Sequence, residues 1–483
     1  MNIFNPEQVA AYISNQLDPN IKLKKSKGEV FTPLSVVSKI LSKLPKHVWT
    51  NPTYTWLDPA AGIGNYPILI YSNLMKGLST WEPDEEKRRK HILENMLYMV
   101  EISPTSCSKL KEFLCGSTYD LHISTKSFLD YPIDHKFDVI IGNPPYNEGG
   151  TGRTNGSRQP FWPKFIDHSL RMINDKGYIS FIHPVGWRKP YNTTMQTNIG
   201  KCLPQYVKNG TLLYIHMNDI NIPYFPDVDY YVYQHGCNSL STIESSYNQV
   251  KGIYMKVNLR SFITEEMSVL PSFFNRLSHS ICTKIFTLHN DNERYNIIYD
   301  GLFKPNKSMK SRDKVGIPYT FIYKDGTYEE IYDKGRYEYQ MNKLQKLKNN
   351  TYKSKIKDKG DLLDYYHKPK IIMSFNGSQP LSTLNPVYYD KIIGSSNMTM
   401  YLPVKDKNES IKHCAFFSSD LLTFLLKITQ YSPPPRNKND HKLLNHIQIP
   451  NLPDNPTNND IYKYYKITTQ ERELISRIIG LDT

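Results

Sequence analysis

A chain of 483 residues that is 39 % hydrophobic is long enough for two or three domains with real cores. No stretch approaches the run of about 18 apolar residues that a membrane span needs. The formal net charge is +14, and residues 301–483 carry 29 Lys and Arg against 19 Asp and Glu, so most of the excess lies in the C-terminal part. That balance points to a polyanionic partner, against the plainer alternative of a soluble basic surface. The six cysteines, Cys107, Cys115, Cys202, Cys237, Cys282 and Cys414, form no CxxC pair and no Cys/His cluster. The N-terminus, MNIFNPEQVAAYISNQ, lacks the basic start and apolar block of a signal peptide. An intracellular, cytoplasmic chain with reduced thiols and no metal site is expected.

In chain order, residues 1–27 read as a lead-in helix ending in the Lys-rich IKLKKSKG. From GEVFTP (28–33) to about residue 240, strand-like and helix-like segments alternate. YTWLD is a strand, NYPILIYSNLMKGL a helix, and MLYMVEISP a second strand. FDVIIG (137–142) is another strand, followed by the helical FWPKFIDHSLRMI and the strand GYISFIHP. TLLYIHM and DYYVYQHG close the series as an expected edge hairpin. This alternation predicts a doubly wound, mostly parallel α/β sheet. Residues 246–483 change rhythm and read as a second, α+β domain, with helical 270–289, strands near KPKIIMSFNG and MTMYLPV, and a final helical piece.

Two corners of the first domain carry the chemistry. In LDPAAGIGNYP (57–67) a strand ends in Asp58, and Gly62 and Gly64 let the backbone pass close to a ligand. Some 40 residues on, Glu101 ends the next strand, where a carboxylate can accept both hydroxyls of a ribose. The GxxxxGK[ST] phosphate loop is absent, so the pair suits a nucleoside ligand without a pyrophosphate. In FDVIIGNPPYNEGG (137–150) the apolar strand stops against Asn143, because Pro144 and Pro145 have no N–H to continue a ladder. An Asn-Pro-Pro-Tyr alone is more often a turn; after these two corners it reads as a catalytic loop.

Taken together, these motifs resemble the amino-group methyltransferases that use S-adenosylmethionine, most closely the DNA adenine-N6 methyltransferases, over residues 28–236. The resemblance implies a class I, Rossmann-like methyltransferase domain at 28–245 and a target-recognition, DNA-binding domain at 246–483. It implies S-adenosylmethionine as cofactor, held by Phe31 and Thr32 of GEVFTP, by Asp58, Ala60, Gly62 and Gly64, by Glu101, and by Ser127 and Phe128 of KSFLDY. It implies catalysis by Asn143, Pro144, Pro145 and Tyr146, with Tyr146 and Phe225 stacking on a flipped target base. The motif order resembles the gamma arrangement of that family. One departure stands out: Ser127 occupies the place of an acid that usually contacts the cofactor adenine, leaving its hydroxyl or Asp130 to substitute.

The implied activity is methyl transfer to the N6 amine of adenine in a specific duplex DNA sequence, with any restriction endonuclease expected as a separate chain. A cytosine-N4 DNA enzyme, an RNA or protein-glutamine methyltransferase, and a catalytically silent DNA-binding module remain as alternatives. Arg153 and Arg158 in 147–159, the basic 343–370 segment, and the Asn and Gln of 374–380 and 394–398 are candidate DNA contacts. His183 at the end of its strand reads as structural.

Overall fold

The computed structural model describes residues 32–115, 117–147, 160–188, 202–219, 228–245, 255–261, 276–286, 293–298, 319–322, 328–331, 368–375, 384–391, 393, 399–429 and 441–480. The lead-in helix, Phe31, Phe225, residues 148–159 with Arg153 and Arg158, and most of the basic 343–370 segment lie outside them. So do 376–380 and 394–398. Two compact units divide the chain, Met1–Trp187 with Thr197–Ile263 and Arg188–Gln196 with Thr264–Thr483.

The first unit is built on one sheet. Its elements are α1 (Leu34–Leu41), β1 (Trp56–Asp58), α2 (Asn65–Gly77), α3 (Glu85–His91), β2 (Leu97–Val100), α4 (Pro104–Phe113), β3 (His122–Ser124) and β4 (Phe137–Gly142). They continue with α5 (Trp162–Met172), β5 (Ile173–Pro184), α6 (Cys202–Asn209), β6 (Gly210–Asp219), β7 (Val228–His235), β8 (Ser241–Ser245) and β9 (Met255–Val257). The strand order is β3-β2-β1-β4-β5-β7-β6-β8-β9. Strands β1 to β5 run parallel to their neighbours, whereas β7 lies antiparallel between β5 and β6. This is the α/β, doubly wound arrangement that the alternation predicts. The order reverses between β1 and β4, so the crevice outside their carboxyl ends is where such sheets bind ligands.

Two expectations change. The β6–β7 hairpin is not at an edge, because β8 pairs in parallel with β6 and β9 continues beyond it. The sheet therefore runs past residue 245 to Val257.

The core explains the near-continuous apolar strands. Leu57, Val139, Ile140, Ile141, Ile179, Phe181 and Ile182 are buried on a sheet covered by helices. Much of the tyrosine content is also core, since Tyr206, Tyr230, Tyr231 and Tyr233 are buried. There Tyr206 and Tyr231 hydroxyls meet at 2.7 Å, and Tyr231 reaches His183 Nε2 at 3.1 Å. His183 Nδ1 donates to the Pro184 carbonyl, and its ring stacks on Trp162 at 4.1 Å. Burial pushes His183 down to about 4, which keeps it a neutral core imidazole.

The second unit is α+β. Helix α7 (Arg276–Phe286) precedes a two-stranded pair, β10 (Tyr319–Ile322) with β11 (Tyr328–Ile331). A three-stranded antiparallel sheet follows, with β12 (Lys370–Ser374) between β13 (Val387–Tyr389) and β14 (Thr399–Pro403). The chain ends in α8 (Lys407–Phe417), α9 (Asp420–Ile428), α10 (His441–Leu444), α11 (Asn458–Tyr464) and α12 (Thr469–Ile479). Glu471 ties α12 to α7: it is buried, receives Lys284 Nζ at 2.6 Å and Ser280 Oγ at 2.6 Å, and closes the α12 capping box with Thr468. Among the described residues, no helix is long and apolar enough to cross a membrane.

Candidate active site

The floor of the site is the loop after β1. Asp58 closes an Asx turn, its Oδ1 accepting from Ala60 N at 3.0 Å. Ala61 N then bonds the Val100 carbonyl of β2, which draws the loop across the sheet end. Gly64 caps α2 at φ 103°, a conformation open to glycine at little cost, and an added Cβ would meet Leu110 at 2.6 Å. Glu101, just past β2, accepts Gly62 N at 2.9 Å on one oxygen and Ser103 N at 2.7 Å on the other. The acid thus holds the loop, and each carboxylate oxygen has acceptor capacity beyond one bond.

The wall of the site is the corner after β4. Asn143 Nδ2 donates to Thr32 Oγ1 at 3.0 Å. Asn65, the first residue of α2, donates its Nδ2 to the Thr32 carbonyl at 2.9 Å. The chain after Tyr146 is pinned by an Asn147–Pro160 bridge and by Phe161 N bonding the Tyr146 carbonyl at 3.0 Å.

A cavity of about 220 Å³ joins floor and wall. Of the expected residues it brings together Thr32, Ala60, Gly62, Glu101, Ser127, Phe128, Asn143, Pro144 and Pro145. Asp58 and Gly64 belong to its supporting loop. Tyr146 is 4 % exposed, burial raises the pKa of its phenol, and its hydroxyl interacts with the Asn143 side chain. It does not line the cavity. Ser127 lines the cavity, but its Oγ also caps a one-turn helix by accepting Leu129 N at 3.3 Å. Asp130 is exposed and does not line the cavity, so it does not replace the missing acid there.

Sequence reasoning missed ten lining residues, among them Asn65, Ile102, Lys126, Phe161 and Phe165. Ile102 had a signal in its position beside Glu101, and it is 70 % exposed, an unusual state for isoleucine. Phe161 and Phe165 share one face by i, i+4 spacing, with ring centroids 5.6 Å apart.

Two acceptors here are buried without a hydrogen-bond partner, Asp58 Oδ2 and Asn65 Oδ1. Burial pushes Asp58 up to about 8, the Ala60 bond opposes the shift, and the Glu101 charge adds to it. The folded state therefore holds a proton that the unfolded chain releases near 3.8. Stability from this group is complete below that value and is lost as pH rises through about 8. His183 acts with the opposite sign, costing stability as pH falls from 6.5 towards 4. Asp58→Asn is expected to melt above the wild type by a margin that widens from pH 5 to pH 8. Melting temperatures that track together across that range would contradict the shift.

The fold and the two corners resemble those of class I, amino-group methyltransferases. Consistent with that class, residues 74–205 match the model of the Eco57I restriction-modification methylases. The chain is 23 % identical to an uncharacterized adenine-specific methylase of Mycoplasma pneumoniae, over 33 % of this chain and 55 % of that one. It is 26 % identical to the Type II methyltransferase M.VspI of a Vibrio species, over 38 % of this chain and 42 % of that one. The chain thus spans about half the length of these curated relatives. Among solved structures it is similar to the Type IIL restriction-modification enzyme MmeI in complex with DNA. The TM-score is 0.49 at 13 % identity, covering 93 % of this chain and 74 % of that one.

Proposed function

We propose that this protein transfers a methyl group from S-adenosylmethionine to the N6 amine of adenine in duplex DNA at a specific sequence. The observation that carries the reading is the single cavity in which the glycine loop, Glu101 and the Asn143–Pro144 corner face one another. The residues fit the cofactor. Asn65 lines the cavity and holds a buried, unpartnered acceptor suited to a cationic amino-acid end, and Glu101 suits ribose hydroxyls. Ile102, Phe128 and Phe165 offer apolar faces for a purine. When bound, S-adenosylmethionine supplies an electrophilic methyl group on a sulfonium centre.

The chain's own residues supply the rest. An exocyclic amine is a poor nucleophile while its lone pair is conjugated with the ring. The Asn143 amide oxygen and the Pro144 carbonyl accept its hydrogens and favour a tetrahedral nitrogen. Pro144 and Pro145 fix the corner, so these acceptors need little reorganisation in the transition state. A duplex base must leave the stack to reach the cavity. Tyr146, turned outward, and Phe225 flank it. The second unit, with the larger part of the basic excess, reads the DNA.

The test is methyl transfer from labelled cofactor to duplex DNA, with RNA and protein extract as competitors. Mass spectrometry of the digested DNA is expected to find N6-methyladenine. N4-methylcytosine would reassign the base, and label in RNA or protein alone would sink the DNA reading.

A further inference from the structure

We propose that Thr32 and Asn65 are positioning residues for catalysis, forming a relay that sets the Asn143 amide in its reactive orientation. The inference rests on the methyl-transfer reading above and adds roles beyond cofactor binding.

The geometry converges on one residue. Thr32 is 3 % exposed and is gripped by two asparagine amides. Its carbonyl accepts Asn65 Nδ2 at 2.9 Å, and its Oγ1 accepts Asn143 Nδ2 at 3.0 Å. A carbonyl only accepts, so the Asn65 amide has one orientation that makes this bond. On the other side, Nδ2 of Asn143 is committed to Thr32. The planar amide then turns its Oδ1 away from Thr32; the Tyr146 hydroxyl, which interacts with this side chain, gives way to the substrate amine as the ring turns outward. Thr32 is itself restrained, because it precedes Pro33, which holds it in extended backbone and caps α1. The relay joins residues 33 and 111 positions apart, so it exists only in the folded unit. Each member contributes by holding the next, while Asn143 alone would touch the amine.

The test separates positioning from cofactor contact. Thr32→Val keeps the shape and removes the Oγ1 acceptor. Its single-turnover methylation rate at saturating cofactor is expected to fall by about 30-fold, with cofactor Kd changed by less than about threefold. Thr32→Ser, which restores the acceptor, should recover the rate to within about threefold of the wild type. Asn65→Ala should slow the same step by about tenfold, and it serves as a second probe if Thr32→Val folds poorly by thermal melting. The relay is overturned if Thr32→Val turns over normally, if Ser rescues no better than Val, or if only cofactor Kd moves. Wild-type protein that binds cofactor but methylates no DNA would instead remove the functional reading, and the relay with it.

Discussion

Asn143→Ala is expected to lower the single-turnover rate of methyl transfer by about 10²–10³-fold, some 3–4 kcal/mol of transition-state stabilisation. Cofactor affinity should stay within about threefold of the wild type. The two effects separate because they belong to different strands. The glycine loop follows β1 and is braced by the Ala61–Val100 bond and by Glu101 after β2. Asn143 follows β4, and its amide reaches the cofactor side through the Thr32 bond. Truncation removes one of two acceptors offered to the amine and leaves the Pro144 carbonyl in place. The residual rate then measures what proline and proximity supply alone. Rapid-quench turnover and equilibrium cofactor binding on the same preparation decide the matter. Undiminished turnover would remove Asn143 from the chemistry, and a collapse of cofactor binding would make it a structural residue.

How much of this site was legible in the sequence depends on how local each signal is. Strands β1, β2, β4 and β5 were readable because a strand buried on both faces is a short apolar run, and each ends at a proline or a charged residue: Pro59 after β1, Glu101 after β2, the Asn143-Pro144 corner after β4 and Pro184 at the end of β5. The corners were readable for the same reason, and the cavity unites most of their residues. Strands β3 and β8, His122–Ser124 and Ser241–Ser245, escaped notice because they are short and mostly polar. Nothing local says that β7 slots between β5 and β6; that register is set by burial of Tyr231, Val232 and Tyr233 on a sheet formed by distant segments. Thr32, Asn65 and Asn143 carry no mutual spacing rule, so their convergence is a tertiary fact. Tyr146 shows a different limit. Its residue type announced a stacking platform, yet whether an aromatic ring faces base or core depends on the packing around it, and here it is buried.

Gly142→Ala should damage both halves of the site at once, through one added methyl group. Gly142 ends β4, one residue before Asn143, and pairs with Phe181 of β5. A Cβ there would stand 2.6 Å from Asp58 Oδ1, closer than packed atoms tolerate, and in tight contact with Pro59 Cδ at 3.3 Å. Relief has two routes. Asp58 can swing away, which breaks its bond to Ala60 N and loosens the glycine loop. Alternatively β4 can shift outward, which carries Asn143 away from Thr32. The first route weakens cofactor binding and the second slows transfer; a buried carboxyl with little room around it makes both costly. Overpacking of this kind costs about 1–3 kcal/mol, and the lost hydrogen bond about 1 kcal/mol more. The variant should melt several degrees lower, bind cofactor at least about tenfold more weakly, and transfer methyl more slowly even at saturating cofactor. Asn143→Ala, by contrast, loses rate alone, so the two variants form a diagnostic pair. A Gly142→Ala protein with wild-type melting and affinity would mean that the β1 and β4 corners are not in direct contact, and the shared floor of the site would have to be redrawn.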